Sequence, residues 1–302
     1  MKKSISMFST CIAVVSILLF NTHAVAQDKK NIKTVLVNNY PISYTEKGKG
    51  EPLLLIHGAL TDYRTWLNHL DVFSEYNRTI AVSLRHNYPE KWDGRGNDLG
   101  IEQDVKDMAA LIKKLNLGKV NLVGHSRGGA VAMLLASKHP NLVKRLILAD
   151  PAPLFSMLQG DEEALQQLKK RKSVLELSNQ YYSANNIDAG LKEFINYIAG
   201  QNAWDKTTET RRNALRQNAL TLKSLIHDVE IPFNCKDIKK ISAPVLLITG
   251  ERSKPVYGQM NNSVSSCLKN PVKATVADAG HMMYSSNPTA FIFEIQDFVL
   301  AD

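Results

Sequence analysis

The 302-residue sequence predicts an α/β fold: a mostly parallel sheet flanked by helices, with a helical cap inserted late in the chain. Three observations carry this. Short continuous apolar runs recur, as strands buried on both faces require. Segments with apolar residues at helical spacing alternate with them, the signature of parallel strands joined by crossover helices. The alternation stops over residues 153–240, where only helical patterns appear, and resumes at Pro244.

The first 26 residues read as a leader outside the fold. Lys2 and Lys3 form a positive start, residues 11–20 are apolar, and Ala24-Val25-Ala26 is a small-x-small cleavage pattern before Gln27. The run is short for a membrane span of about 20 residues, which favours cleavage and export over an anchor. The expected mature chain is therefore periplasmic or secreted, with no stable membrane insertion. Two cysteines remain in it, Cys235 and Cys267. An oxidising compartment would allow them to pair, but one pair in so large a chain is no framework, and two separate thiols are the slightly favoured alternative.

Strand signals follow at residues 34–37 and 41–45, then 52–56, 79–84, 120–123, 145–149 and 244–249, with a weaker one at 273–277. Between them, Ile101, Val105, Met108, Ile112 and Leu115 fall on one helix face, with Gly118 as a stop signal. A helix is expected at 127–138, ended by Pro140. Within 153–240 the patterns are Leu191, Phe194, Ile195 and Ile198, then Ala214, Leu215, Ala219, Leu222 and Leu225. Residues 27–152 and 241–302 are thus expected to form the core and 153–240 the cap.

The chain carries 44% hydrophobic and 22% charged residues, which excludes a disordered chain. The net charge of +8 is spread along it. The basic cluster Lys169-Lys170-Arg171-Lys172 reads as a solvated helix face, so no nucleic-acid partner is expected. No Cys/His cluster has metal-ligand spacing and no phosphate loop appears, so no cofactor or metal is implied. Oligomeric state is not readable.

Gly124-His125-Ser126-Arg127-Gly128 matches G-x-S-x-G between a strand and a helix, the context in which a tight turn lifts a serine hydroxyl above the sheet edge. Ser126 is the expected nucleophile. A hydroxyl needs a base, and His281, in Ala279-Gly280-His281, follows the last strand signal and precedes a final helix from about Pro288. An oxyanion hole is expected from the Ala59 and Arg127 amides, Ala59 following His57-Gly58 at the end of a strand. His57 itself reads as a packed, hydrogen-bonded histidine.

With these three motifs in this order, the chain resembles the α/β-hydrolase superfamily from about residue 34 onward. The resemblance implies a serine hydrolase acting on a small-molecule acyl substrate, with an acid completing a triad. Members often carry an Asp three residues after the Gly ending the next-to-last strand. Here that position is Ser253, in Gly250-Glu251-Arg252-Ser253. Other members place the acid after the strand that follows the nucleophile helix, which is Asp150 here. Asp150 is the expected acid and Glu251 the alternative. Esters, lactones, amides and carbon–carbon bonds all fall to such a triad, and a non-catalytic ligand-binding protein could share the scaffold. Arg85, His86 and Tyr88 lie on a loop at the crevice edge and could touch substrate, or belong to a polar loop with Trp92 packed on the core.

Overall fold

The computed structural model describes residues 32–301. The expected leader, 1–26, lies outside them. Two short strands come first, β1 (Lys33–Val37) and β2 (Tyr40–Lys47). Asn38 and Asn39 join them at φ 49° and 59°, a left-handed turn that asparagine tolerates. The remaining strands are β3 (Glu51–Ile56), β4 (Asn77–Val82), β5 (Val120–His125), β6 (Val143–Ala149), β7 (Val245–Gly250) and β8 (Val272–Val276). They form one sheet in the order β1-β2-β4-β3-β5-β6-β7-β8.

β2 runs antiparallel to β4, and the pairings from β4 through β8 are parallel. β5 is buried throughout, which is why its sequence is a continuous apolar run rather than an alternation. The chain visits β4 on one side of β3 and then β5 on the other. That reversal opens a crevice at the carboxyl ends of β3 and β5. In register, Ile56 faces Gly124, His125 faces Ala149, and Ala149 faces Ile248. The loops after β3, β5, β6 and β7 therefore leave the sheet along one edge.

Three α-helices come before β6 among the described residues: α1 (Leu67–Phe73), α2 (Ile101–Lys114) and α3 (Arg127–Lys138). α2 buries Ile101, Val105, Met108 and Ile112, the expected stripe. Between β6 and β7 lie α4 (Glu162–Ser183), α5 (Ile187–Ala199), α6 (Glu209–Gln217), α7 (Leu225–Asp228) and α8 (Cys235–Ile238). Leu175 of α4, Leu191 and Phe194 of α5, Leu215 of α6 and Leu225 of α7 meet in a core that also takes in Leu222 and, from the loop after β3, Leu60. After β7 comes α9 (Pro255–Cys267), which the apolar pattern does not announce, and after β8 come α10 (Met283–Ser286) and α11 (Pro288–Leu300). No helix among the described residues is long and apolar enough to cross a membrane.

Two links tie the inserted helices to the sheet. Arg127 at the start of α3 is buried between Asp104 of α2, at 2.6 Å, and Asp228 of α7, at 2.7 Å. Asp228 also accepts the Ile101 amide. Cys235 of α8 and Cys267 of α9 form a disulfide with Cα atoms 5.2 Å apart. The basic cluster of α4 departs from its expected solvated face. Lys169 and Lys170 are exposed, but Arg171 lies on the inward stripe with Ala164, Leu168, Leu175, Ser178 and Tyr182.

Candidate active site

Ser126 sits at the sharp turn between β5 and α3 with φ 53° and ψ −120°, a backbone that a serine adopts only when its surroundings impose it. The close approach of neighbouring chain is the cause. A Cβ on Gly128 would fall on the carbonyl oxygens of Ile56 and His57, and one on Gly124 would fall on the backbone of Gly128 and Gly129. The motif glycines are thus the space that lets α3 start hard against β3. Ser126 N–H donates to Ala149 O and Ser126 O accepts from Gly129, Ala130 and Ala152, so the turn is held on every side.

The expected residues meet at this point. Ser126 Oγ lies 2.9 Å from His281 Nε2, and His281 Nδ1 lies 3.2 Å from Asp150 Oδ2. Asp150 is fully buried, and Glu251 is exposed and accepts the Asp278 amide instead. Ser253 donates its hydroxyl to the same Asp150 oxygen at 2.5 Å. The position where the commoner pattern would put the acid therefore touches the acid from the neighbouring strand. Ala59 lines the cleft at Ser126, and Arg127 is the first residue of α3, where a helix leaves its amides without intrahelical acceptors. The Arg127 side chain points away into its pair of aspartates.

Charges around the pair are biased. Burial, then the positive charges of Arg171 and Lys254, push the His281 imidazole down to about 3. Burial pushes the Asp150 carboxyl up to about 7, opposed by the Ser253 hydroxyl. The neutral imidazole accepts from Oγ at Nε2 and donates from Nδ1. A hydroxyl, imidazole and carboxyl in this order can carry a proton off Oγ and stabilise the cation that results.

Several supports lay beyond sequence reasoning. Tyr257 of α9 stacks on the His281 ring at 4.0 Å between centroids. His125 donates from Nε2 to His281 O at 2.7 Å, and His69 from Nε2 to Tyr284 O at 2.9 Å. Two buried histidines thus clamp the loop that carries His281. His57 donates from Nδ1 to Gly58 O and accepts the Leu84 amide at Nε2, the packed role its sequence context suggested. Burial holds its ring down to about 4.

The crevice-edge loop resolves toward the structural reading. Arg85 pairs with Asp98 and Asp107, His86 contacts Asp98 and stacks on Trp92, and Tyr88 packs on Tyr63 beneath Arg64. None of the three lines the cleft at Ser126.

That cleft is tight, about 30 Å³, walled by Phe194 and Ile198 of α5, Tyr257, Met282 and Arg171. It shares Ile198, His281 and Met282 with a hollow of about 360 Å³, and Thr61 and Tyr284 with another of about 290 Å³.

Comparison with known proteins agrees with this architecture. Residues 53–295 match the model of the Alpha/beta hydrolase family. The (E)-2-((N-methylformamido)methylene)succinate hydrolase of Acinetobacter baylyi is 26% identical over 265 residues, covering 84% of this chain and 92% of its own. Among solved structures, an α/β hydrolase from a Medee basin deep-sea metagenome library aligns with a TM-score of 0.74 at 18% identity, over 89% of this chain and 98% of its own. A carboxylesterase from Bacillus subtilis aligns at 0.68 and 19%, over 92% and 96%. These two structures share the fold.

Proposed function

The chain belongs to the α/β-hydrolase family, and on that footing we propose that it is a serine hydrolase that cleaves a carboxylic ester or related acyl bond through an acyl-enzyme. The observation that carries the reading is the 2.9 Å approach of Ser126 Oγ to His281 Nε2, with Asp150 on the far side of the ring. Ser126 Oγ attacks the carbonyl carbon as His281 takes its proton. The Ala59 and Arg127 amides receive the charge that develops on the carbonyl oxygen. The intermediate collapses, and His281 returns the proton to the departing alcohol. Water, deprotonated by His281, then attacks the acyl-enzyme, and collapse frees the acid and restores Oγ–H. Asp150 holds the ring tautomer and balances the imidazolium. Residues 153–240 serve as a cap, since Arg171, Phe194 and Ile198 stand over the hydroxyl.

A chain-length series of p-nitrophenyl esters tests this. Ser126→Ala is expected to lower turnover by roughly 10⁴- to 10⁶-fold and to abolish fluorophosphonate labelling. Asp150→Asn is expected to lose about 10⁴-fold, while Glu251→Gln stays within about threefold. Full esterase activity in Ser126→Ala would sink the assignment.

We also propose that the chain is exported and cleaved before Gln27, and the Cys235–Cys267 disulfide supports an oxidising destination. N-terminal sequencing of the protein recovered from the periplasm or medium is expected to begin at Gln27. Full-length protein confined to the cytoplasm would refute this.

A further inference from the structure

Arg171 is the one feature of the site that the hydrolytic machinery leaves unexplained. It projects from α4 into the cleft beside Ser126 and His281, and only 6% of it is exposed. Its Nε is buried without a hydrogen-bond partner, and no carboxylate pairs with its guanidinium among the described residues. The other buried arginines differ. Arg127 is held by two aspartates, and so is Arg85. A guanidinium stays charged in any protein, so its burial without a counter-ion opposes folding. No acid lines the cleft to offset it; beside Thr61, Ser126 and the two histidines the lining is apolar or aromatic, with Phe194, Ile198, Tyr257 and Met282. The adjoining hollow adds further positive charge through Lys254, whose ammonium rests over the Tyr197 ring.

Strain of this kind at a site signals a partner that arrives with the ligand. We propose that Arg171 is a substrate-anion anchor, and that the acyl substrate carries a carboxylate or similar anionic group near its scissile carbonyl. This rests on the acyl-hydrolase reading and specifies its substrate class. The planar fork of the guanidinium accepts a carboxylate through two parallel N–H···O bonds, which fixes orientation as well as affinity. Neutralising Arg171 also removes a positive charge that disfavours the imidazolium of His281. An anionic substrate therefore strengthens the base it is about to use.

The test compares p-nitrophenyl hemisuccinate with p-nitrophenyl butyrate, esters of similar length with and without the carboxylate. The wild type is expected to favour the hemisuccinate, chiefly through KM. Arg171→Gln is expected to lower the hemisuccinate-to-butyrate ratio of kcat/KM by about 10- to 100-fold, with Arg171→Lys intermediate. An unchanged ratio in Arg171→Gln overturns the proposal. Thermal melting separates this from a structural role. Arg171→Met is expected to melt no lower than the wild type, whereas loss of a structural arginine would lower it. If the wild type cleaves neither ester and resists fluorophosphonate, the acyl-hydrolase reading fails, and binding decides the anchor separately. Calorimetric titration of Ser126→Ala with succinamate is expected to show binding that Arg171→Gln abolishes; absent or equal binding overturns the anchor.

Discussion

Ser253 stands where the commoner pattern carries an aspartate, and its hydroxyl reaches Asp150 at the end of the neighbouring strand. A carboxylate on residue 253 would stand beside Asp150 Oδ2, the oxygen that meets the His281 ring. The double variant Asp150→Asn/Ser253→Asp is therefore expected to recover about 10-fold or more of the ester turnover lost in Asp150→Asn alone. Equal turnover in the two variants would show that position 253 cannot serve. Ser253→Ala alone removes the hydrogen bond that opposes burial at Asp150. His57 gives a second test, with a defined sign. Its folded value, about 4, lies below the ordinary 6.5 because burial disfavours the cation. Between these values the unfolded chain holds a proton that the folded one rejects, so the contribution of His57 is complete above pH 6.5 and is lost as pH falls toward 4. The stability gap between wild type and His57→Asn is expected to shrink by on the order of 3 kcal/mol over that window, read from urea melts. A gap independent of pH would rule this out. Ser126, His281 and Asp150 were legible because motif order and strand ends constrain them. Arg171 was not, because three lysines beside it imitate a solvated face. Only its spacing, three residues after Leu168 and four before Leu175, marks it as inward.

At the scale of elements, the strands were readable because burial on both faces forces unbroken apolar runs. The expected edges differ from the observed ones by a residue or two, as at β4, expected at 79–84 and found at Asn77–Val82. α9 was not readable. Its buried Val256, Tyr257, Met260 and Val264 are diluted by Gly, Gln, Asn and Ser, so no apolar stripe stands out. Yet this helix carries the ring that stacks on His281. The long-range ion network was equally hidden, since nothing local says that Arg127, Asp104 and Asp228 will meet. Burial raises Asp104 to about 6 even with Arg127 beside it, so the three groups are balanced closely. Removing Asp228 strips Arg127 of one partner and frees the Ile101 amide at the start of α2. Asp228→Ala is expected to cost about 3–5 kcal/mol in denaturant unfolding. A cost below about 1 kcal/mol would mean that the network is incidental.

At the scale of the molecule, the helices between β6 and β7 and the sheet belong to one compact unit that begins at Thr34. The disulfide closes a loop of sequence separation 32 that leaves the last inserted helix, passes through β7 and returns along α9. Cross-linking a loop of that length restricts the unfolded chain by about 3–4 kcal/mol in the chain-entropy picture. The cysteines stand away from the reacting groups. Tyr257, near the start of α9, touches His281, whereas Cys267 lies at the far end of the same helix. Stability and catalysis should therefore separate. Cys235→Ser/Cys267→Ser is expected to melt roughly 6–12 °C lower, while kcat/KM at 25 °C stays within about threefold of wild type. Matching Tm values would deny the bridge a stabilising role. A joint loss of Tm and activity would mean that α9 must be anchored at Cys267 for Tyr257 to hold the base in place, making the bridge part of the support of the site.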